Sequence, residues 1–207
     1  MGMVKKSMKE KSDNLPNLVI AGVNKAGTTS LFDYLASHPE ICASAIKETG
    51  FFLPCRYSNE KLAPLNEYKS LFRCQGERII MEATPGYFYG GTGLASKIYT
   101  TLPGVRIVII LREPLSRLIS FFHFMKNMLL VDKDMSLNEY ILRCTKLSEA
   151  ELKERNKNKF FGVEGGCYSK YLPDWQKQFG ANLKIFFLMI LEMIQSLCFT
   201  SYVTGLK

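Results

Sequence analysis

The sequence predicts an α/β fold: a three-layer sandwich whose central parallel sheet is covered on both faces by helices. Three observations carry this reading. Short apolar runs at 17–22 (NLVIAG), 78–82 (RIIME), 105–111 (VRIVIIL) and 183–188 read as strands and alternate with segments of helical periodicity, the order that builds parallel sheets. The run at 105–111 is rich in β-branched apolar residues, as strands are when both faces are buried. The first strand passes through a loop of small residues directly into a helix.

Each element has its own local reason. After the strand ending at Gly22, residues 28–37 (TTSLFDYLAS) place Leu31, Phe32 and Leu35 at helical spacing, closed by His38-Pro39, because the residue before a proline is biased away from helix. A helix over 93–101 links the second and third strands. Residues 113–128 (EPLSRLISFFHFMKNM) form a long helix with Pro114 in its first turn, where the missing N–H has no partner to lose. Helices over 136–144 and 148–158 each open with Ser and carry Glu139 or Glu151 three residues on; in such a box the hydroxyl and carboxylate satisfy each other's orphan amides. Residues 168–179 give another helix with Trp175 in the core, before the fourth strand. The apolar stretch at 186–199 is broken by Glu192 and Gln195 and is too short and polar to span a bilayer. It reads as a buried helix.

A length of 207 residues with no repeat or linker implies one domain over 17–207, preceded by a flexible basic tail at 1–16. Lys5, Lys6, Lys9 and Lys11 supply part of the net charge of +8. A positive excess concentrates anionic ligands near the surface, and by itself suits nucleotides, acidic glycans, nucleic acid or an acidic membrane. The tail has no apolar segment of a secretory signal, and Lys6 stands where a myristoylation pattern wants Ser or Thr. Six cysteines lie far apart without a C-x-x-C pair, which argues against zinc and gives no disulfide framework. The expectation is therefore free thiols and a cytoplasmic location. His38 and His123, the two histidines, read as structural or surface residues.

The chemistry concentrates in Gly22-Val-Asn-Lys25-Ala26-Gly27-Thr28-Thr29-Ser30. A glycine-bearing loop between a strand and a helix start lets the backbone curl, so that the amides of 26–30 face an anion at the positive end of the helix dipole. The Walker pattern G-x(4)-G-K-[ST] puts its lysine after the second glycine, for a triphosphate held with Mg²⁺. Here Thr28 occupies that position and the lysine lies inside the loop, beside the bridging oxygen of a group attached to one terminal phosphate. There an ammonium stabilises leaving-group charge without a metal. The segment Lys25-Ala26-Gly27-Thr28-Thr29 resembles the K-x-G-T-T loop of sulfotransferases that use 3′-phosphoadenosine 5′-phosphosulfate (PAPS), particularly the heparan sulfate glucosaminyl N- and 3-O-sulfotransferases and their bacterial relatives. That resemblance implies the sulfotransferase, P-loop-like version of the α/β sandwich, with Lys25 to Ser30 binding the donor's 5′ end and Lys25 catalytic.

Further segments resemble the same family. Arg112-x-Pro114-x-x-Arg117-x-x-Ser120 follows a strand end, where an arginine meets the ligand edge of an open sheet; about two helical turns on, Ser120 faces the same side as Arg112, with Arg117 between them pointing elsewhere, and the resemblance assigns Arg112 and Ser120 to the donor's 3′-phosphate. Lys47-Glu48-Thr49-Gly50-Phe51-Phe52 is similar to K-E-x-H-F-F, which implies Glu48 as general base and Lys47 as a member of the catalytic site. Gly50 and Leu53 depart from that pattern. Glu82-Ala-Thr84-Pro85-Gly86-Tyr87-Phe88 resembles E-K-T/S-P-x-Y-F, which implies that Glu82, Thr84, Tyr87 and Phe88 bind the acceptor. Gly165-Gly166-Cys167-Tyr168 with Leu172 and Trp175 is similar to the family's G-x-Y-x(3)-L-x-x-W helix start.

The resemblance spans about 17–188; residues 187–207 match none of the family's later segments, so the sequence reads as truncated or divergent there. The implied activity moves a sulfuryl group from PAPS to a hydroxyl or amine, of a carbohydrate by the resemblance, leaving 3′-phosphoadenosine 5′-phosphate (PAP). The implied partners are a nucleotide donor and that acceptor, with no metal, nucleic acid or membrane span. Two alternatives stay open at this level: a P-loop nucleotide kinase or hydrolase, and an inactive nucleotide- or glycan-binding relative.

Overall fold

The structure is a computed structural model, and it describes residues 14–57 and 60–189. Residues 1–13 of the basic tail, and 190–199 of the stretch read as a buried helix, lie outside the described residues. Five parallel strands form one sheet in the order β2-β3-β1-β4-β5: β1 (Leu18–Gly22), β2 (Ile41–Ala43), β3 (Ile79–Ala83), β4 (Arg106–Leu111) and β5 (Leu183–Phe187). Alternation along β1 sets the layers. Val19 and Ala21 belong to the larger core, packed with Leu94, Ile98, Trp175 and Phe179, while Ile20 joins Phe32, Met81 and Ala83 on the other face. Helix α1 (Thr28–Ala36) covers that second face through Phe32. Helices α3 (Gly91–Thr101) and α6 (Leu172–Phe179) cover the first, with the short α2 (Leu65–Ser70) nearer the edge.

The β1 connection runs toward β2 on one side of the sheet, and β4 leads toward β5 on the other. Adjacent strands β1 and β4 therefore flank the switch point, where a crevice opens at the strands' carboxyl ends. Helix α4 (Pro114–Asn127) follows β4 at this crevice, with Glu113 accepting from the amides of Leu115 and Ser116 at its N-cap. Helix α5 (Leu137–Thr145) carries the full Ser136/Glu139 capping box.

Four local expectations differ from the structure. The expected helix over 148–158 is two 3₁₀ turns, Glu151–Lys153 and Arg155–Phe160. The Ser148/Glu151 box does form, with Glu151 N donating to Ser148 Oγ at 3.3 Å and Ser148 N to Glu151 Oε2 at 3.0 Å. Tertiary bonds then draw the chain out of helix: Arg155 pairs with Glu60 and Arg56 donates to Asn158 Oδ1. The expected helix from 168 starts at Leu172, because Pro173 fits a helix's first turn and would break an interior one. Strand β2 and helix α2 went unread, being three and six residues long. The expectation of six free thiols is corrected: Cys42 on β2 and Cys74 form a disulfide, with Cα atoms 5.4 Å apart, while Cys55, Cys144 and Cys167 are free.

Candidate functional site

The loop after β1 is fixed by its own backbone. Val23 N donates to Ile110 O of β4 at 2.9 Å, Ala26 N to Val23 O at 3.3 Å, and Leu31 N to Gly27 O at 3.1 Å. Lys25 (φ 68°) and Gly27 (φ 80°) make two left-handed corners around buried Ala26. Gly27 is the N-cap of α1 and supplies no side-chain cap, so the first-turn amides keep their capacity for an incoming anion.

This loop opens onto a cavity of about 430 Å³ at the switch point. Lys25, Gly27, Thr28 and Thr29 line one side; Arg112, Ser120 and Glu48 face them. Arg112 bridges the two strand ends, its Nη1 donating to the Lys25 carbonyl at 3.1 Å, while Tyr168 Oη donates to the Arg112 carbonyl at 2.7 Å. The Lys25 ammonium lies 4.3 Å from the centre of the Phe124 ring. Burial, with the neighbouring Arg112 cation second, holds the Lys25 pKa below its usual value, and Glu48 opposes the shift. Glu48 takes a left-handed φ of 63°, donates its amide to Ala83 O at 2.8 Å, and pairs with Lys47 Nζ at 2.7 Å. Its side chain is 55% exposed and that of Lys47 18%, so the carboxylate reaches the open side.

The structure thus brings together Lys25, Gly27, Thr28, Thr29, Arg112, Ser120 and Glu48. Ala26 is buried behind the loop and Ser30 is exposed; neither lines the cavity, although Ala26 shapes the turn. Lys47 reaches the site through Glu48. Arg117 points away, as expected: it is fully buried, donates to the Gly162 carbonyl, and lies 5.4 Å from the Phe121 ring.

The acceptor run is placed differently from the expectation that it lines a cleft. Glu82, Thr84, Tyr87 and Phe88 are all interior, since β3 is a central strand and the following 3₁₀ turn, Pro85–Gly90, packs against β1. Pro85 alone of this run lines the cavity. Thr84 Oγ1 accepts from Gly50 N at 3.2 Å, and Tyr87 Oη accepts from Phe52 N at 3.2 Å, so these residues hold the Glu48 segment from behind. Phe88 packs on Gly22, where an added Cβ would stand 2.6 Å from Phe88 Cβ. Burial pushes the Glu82 carboxyl up to about 7, against hydrogen bonding led by Thr49.

Sequence reading missed Asn24, Phe121, Phe124, Met125 and Asn158 in the cavity wall. Phe121, Phe124 and Met125 share a face of α4 with Ser120 by helical spacing, a signal present in the chain. Asn158 had none: Arg56, itself buried among the Tyr57, Tyr89 and Phe161 rings, brings it there from a distant segment.

No protein-family model matches the chain. It is 30% identical over 183 residues to the bifunctional heparan sulfate N-deacetylase/N-sulfotransferase 1 of Caenorhabditis briggsae, covering 84% of this chain and 20% of that protein. Heparan sulfate glucosamine 3-O-sulfotransferase 5 of Mus musculus is 29% identical over 167 residues, 80% of this chain and 45% of that one. Along most of its own length the chain is similar to sulfotransferases. Its likeness is to the N- and 3-O-sulfotransferase branch, and 110 residues are also 32% identical to the membrane-associated sulfotransferase kil1 of Dictyostelium discoideum, 53% of this chain and 23% of that one. The chain spans less than half the length of each of these curated relatives. A crystal structure of a sulfotransferase from Alicyclobacillus acidocaldarius superposes with a TM-score of 0.75 at 24% identity, over 86% of this chain and 75% of that one. That superposition establishes the sulfotransferase fold. Among the described residues, no helix is long and apolar enough to cross a membrane.

Proposed function

We propose that this chain transfers a sulfuryl group from PAPS to a hydroxyl or amine of a carbohydrate. The observation that carries the reading is the convergence of Lys25, Arg112, Ser120 and Glu48 on one cavity at the switch point. A donor with phosphate on both sides of its ribose needs two anion sites. The loop amides with Thr28 and Thr29 supply one, and Arg112 with Ser120 the other. An arginine fork beside a hydroxyl is a strong phosphate clamp because its donors are charged and planar.

In the transfer, Glu48 takes the proton of the acceptor O–H or N–H as that atom attacks sulfur. The bond from sulfur to the 5′-phosphate oxygen breaks, and PAP keeps the electron pair. Lys25 offers its ammonium to that oxygen as charge develops, the moment at which such an interaction lowers the barrier most. Lys47, bonded to Glu48, fixes the carboxylate's direction. The names of the relatives, with heparan sulfate as their acceptor, support a glycan for this chain.

Mass spectrometry of an acceptor panel incubated with ³⁴S-labelled PAPS tests the reading, and transfer to a glycan is the expected result. Thermal shift with PAP, ATP-Mg²⁺ and heparin fragments, run in parallel, should show stabilisation by PAP without Mg²⁺. Stabilisation by ATP-Mg²⁺ alone would instead indicate a kinase or hydrolase, and by heparin alone a glycan-binding relative.

A further inference from the structure

The acceptor side of the cavity depends on the turn at 48–50. Its backbone is left-handed at Glu48 (φ 63°) and again at Gly50 (φ 67°), on either side of Thr49. A left-handed φ is unfavourable for any residue with a Cβ, so Glu48 keeps it only where neighbours hold the turn. The two corners also part the side chains. Glu48 faces the cavity, whereas Thr49 turns back toward the sheet, where its hydroxyl donates to Glu82 Oε2 at 2.5 Å. Glu82 is fully buried on β3, with the hydroxyls of Tyr68 and Tyr87 beside the same carboxyl. A carboxyl group is a costly way to fill a core position, and here its short bond goes to the residue next to the candidate base.

The structure assigns Glu82 a positioning role: through the Thr49 hydroxyl it locks the turn that aims the Glu48 carboxylate into the cavity. Glu82 does not line the cavity and acts through Thr49, whose hydroxyl also lies 3.3 Å from Tyr87 Oη. The inference rests on the reading of Glu48 as the base in sulfuryl transfer, and it extends that reading to a residue whose family resemblance implied acceptor binding.

Four variants test it: Thr49→Val, which keeps shape and removes the hydroxyl; Thr49→Ser, which keeps the hydroxyl; Glu82→Gln, which keeps an accepting oxygen; and Glu82→Leu, which has none. Turnover, PAP affinity by calorimetry and hydrogen exchange of residues 47–53 are measured on each. Misplacing a catalytic group by an ångström costs on the order of 10²-fold, so Thr49→Val should lower kcat by about 10- to 100-fold. PAP affinity should stay near that of the wild type, while exchange at 47–53 rises and elsewhere does not. Thr49→Ser and Glu82→Gln should behave as the wild type, and Thr49→Val combined with Glu82→Leu should be no worse than either alone. Should Glu82→Leu fail to fold, Thr49→Val and its serine rescue decide the matter. Wild-type kcat in Thr49→Val, or a kcat loss matched by lost PAP affinity, overturns the assignment. If the wild type transfers no sulfuryl group, the functional reading falls by itself. The exchange data then judge the lock separately: localised loosening in Thr49→Val restored by serine supports it, and unchanged exchange refutes it.

Discussion

Replacing Arg112 with alanine separates the two anion sites. The guanidinium makes one structural bond, from Nη1 to the Lys25 carbonyl at 3.1 Å, and is otherwise turned to the cavity beside Ser120. That bond has a charged donor and contributes roughly 1.5–3 kcal/mol, a loss the fold should survive. The Tyr168 bond goes to the Arg112 backbone carbonyl and is kept by alanine. A hydrogen bond from a charged donor is worth roughly 1.5–3 kcal/mol. At about 1.4 kcal/mol per factor of ten, its removal should weaken PAP binding by about 10- to 150-fold. Calorimetry with PAP and with adenosine 5′-phosphate, on wild type and variant, isolates the 3′-phosphate. The loss should appear with PAP and nearly vanish with the nucleotide lacking that phosphate. An equal loss for both would refute the assignment, since Arg112 would then act by bracing the Lys25 loop.

Lys25→Ala should lower turnover by on the order of 10²–10³-fold with the fold intact, and near-normal turnover would remove Lys25 from the mechanism. Because burial and Arg112 lower its pKa, activity should begin to fall on the alkaline side before pH 10.5, and Lys25→Arg should move that limb upward in a pH–rate profile. Glu82 holds its proton more tightly folded than unfolded, its pKa being pushed from 4.5 up to about 7; the folded state therefore binds more protons across that window, and stability falls as pH rises through it. The ceiling is about 3 kcal/mol at about 1.4 kcal/mol per pH unit, and Glu82→Gln should flatten this part of a denaturant-measured stability profile; parallel profiles would contradict the buried titration. Opening the Cys42–Cys74 bridge, which closes a 32-residue separation, should cost about 2–4 kcal/mol, or roughly 4–16 °C in Tm for a chain of this size. Alkylation of Cys42 or Cys74 in the native, unreduced protein, located by peptide mass spectrometry, would refute the pairing.

The loop side of the cavity was legible because its parts are local. Strand, loop and helix start occupy one continuous stretch from Leu18 to Ala36, and the displaced lysine is visible in the sequence itself. Arg112 and Ser120 were equally readable, since a strand end and eight residues of helix fix their relation. The Glu48 side was less so. Whether Glu82 faces a cleft or the core depends on how many neighbours β3 has, and its outer neighbour β2 is too short for a periodic signal. The Cys42–Cys74 pairing depends on the same strand. The 148–158 segment carried a true capping box, yet side-chain bonds to Glu60 and Arg56 outweighed the local preference.

This difference in support decides what a loss of activity means on each side. The Lys25 loop is held mainly by backbone bonds, from Val23 to Ile110 and from Leu31 to Gly27, which most side-chain substitutions leave in place. A change at Lys25 or Ser120 therefore tests binding and chemistry with little effect on the fold. Glu48 instead hangs on a turn held from behind by Thr84, Tyr87 and Glu82, all of them buried. A substitution there alters core packing and base geometry together. Lost turnover with a normal fold thus identifies a donor-side role directly. On the acceptor side it does so only when stability and local exchange, measured on the same sample, show that the turn and not the whole core has moved.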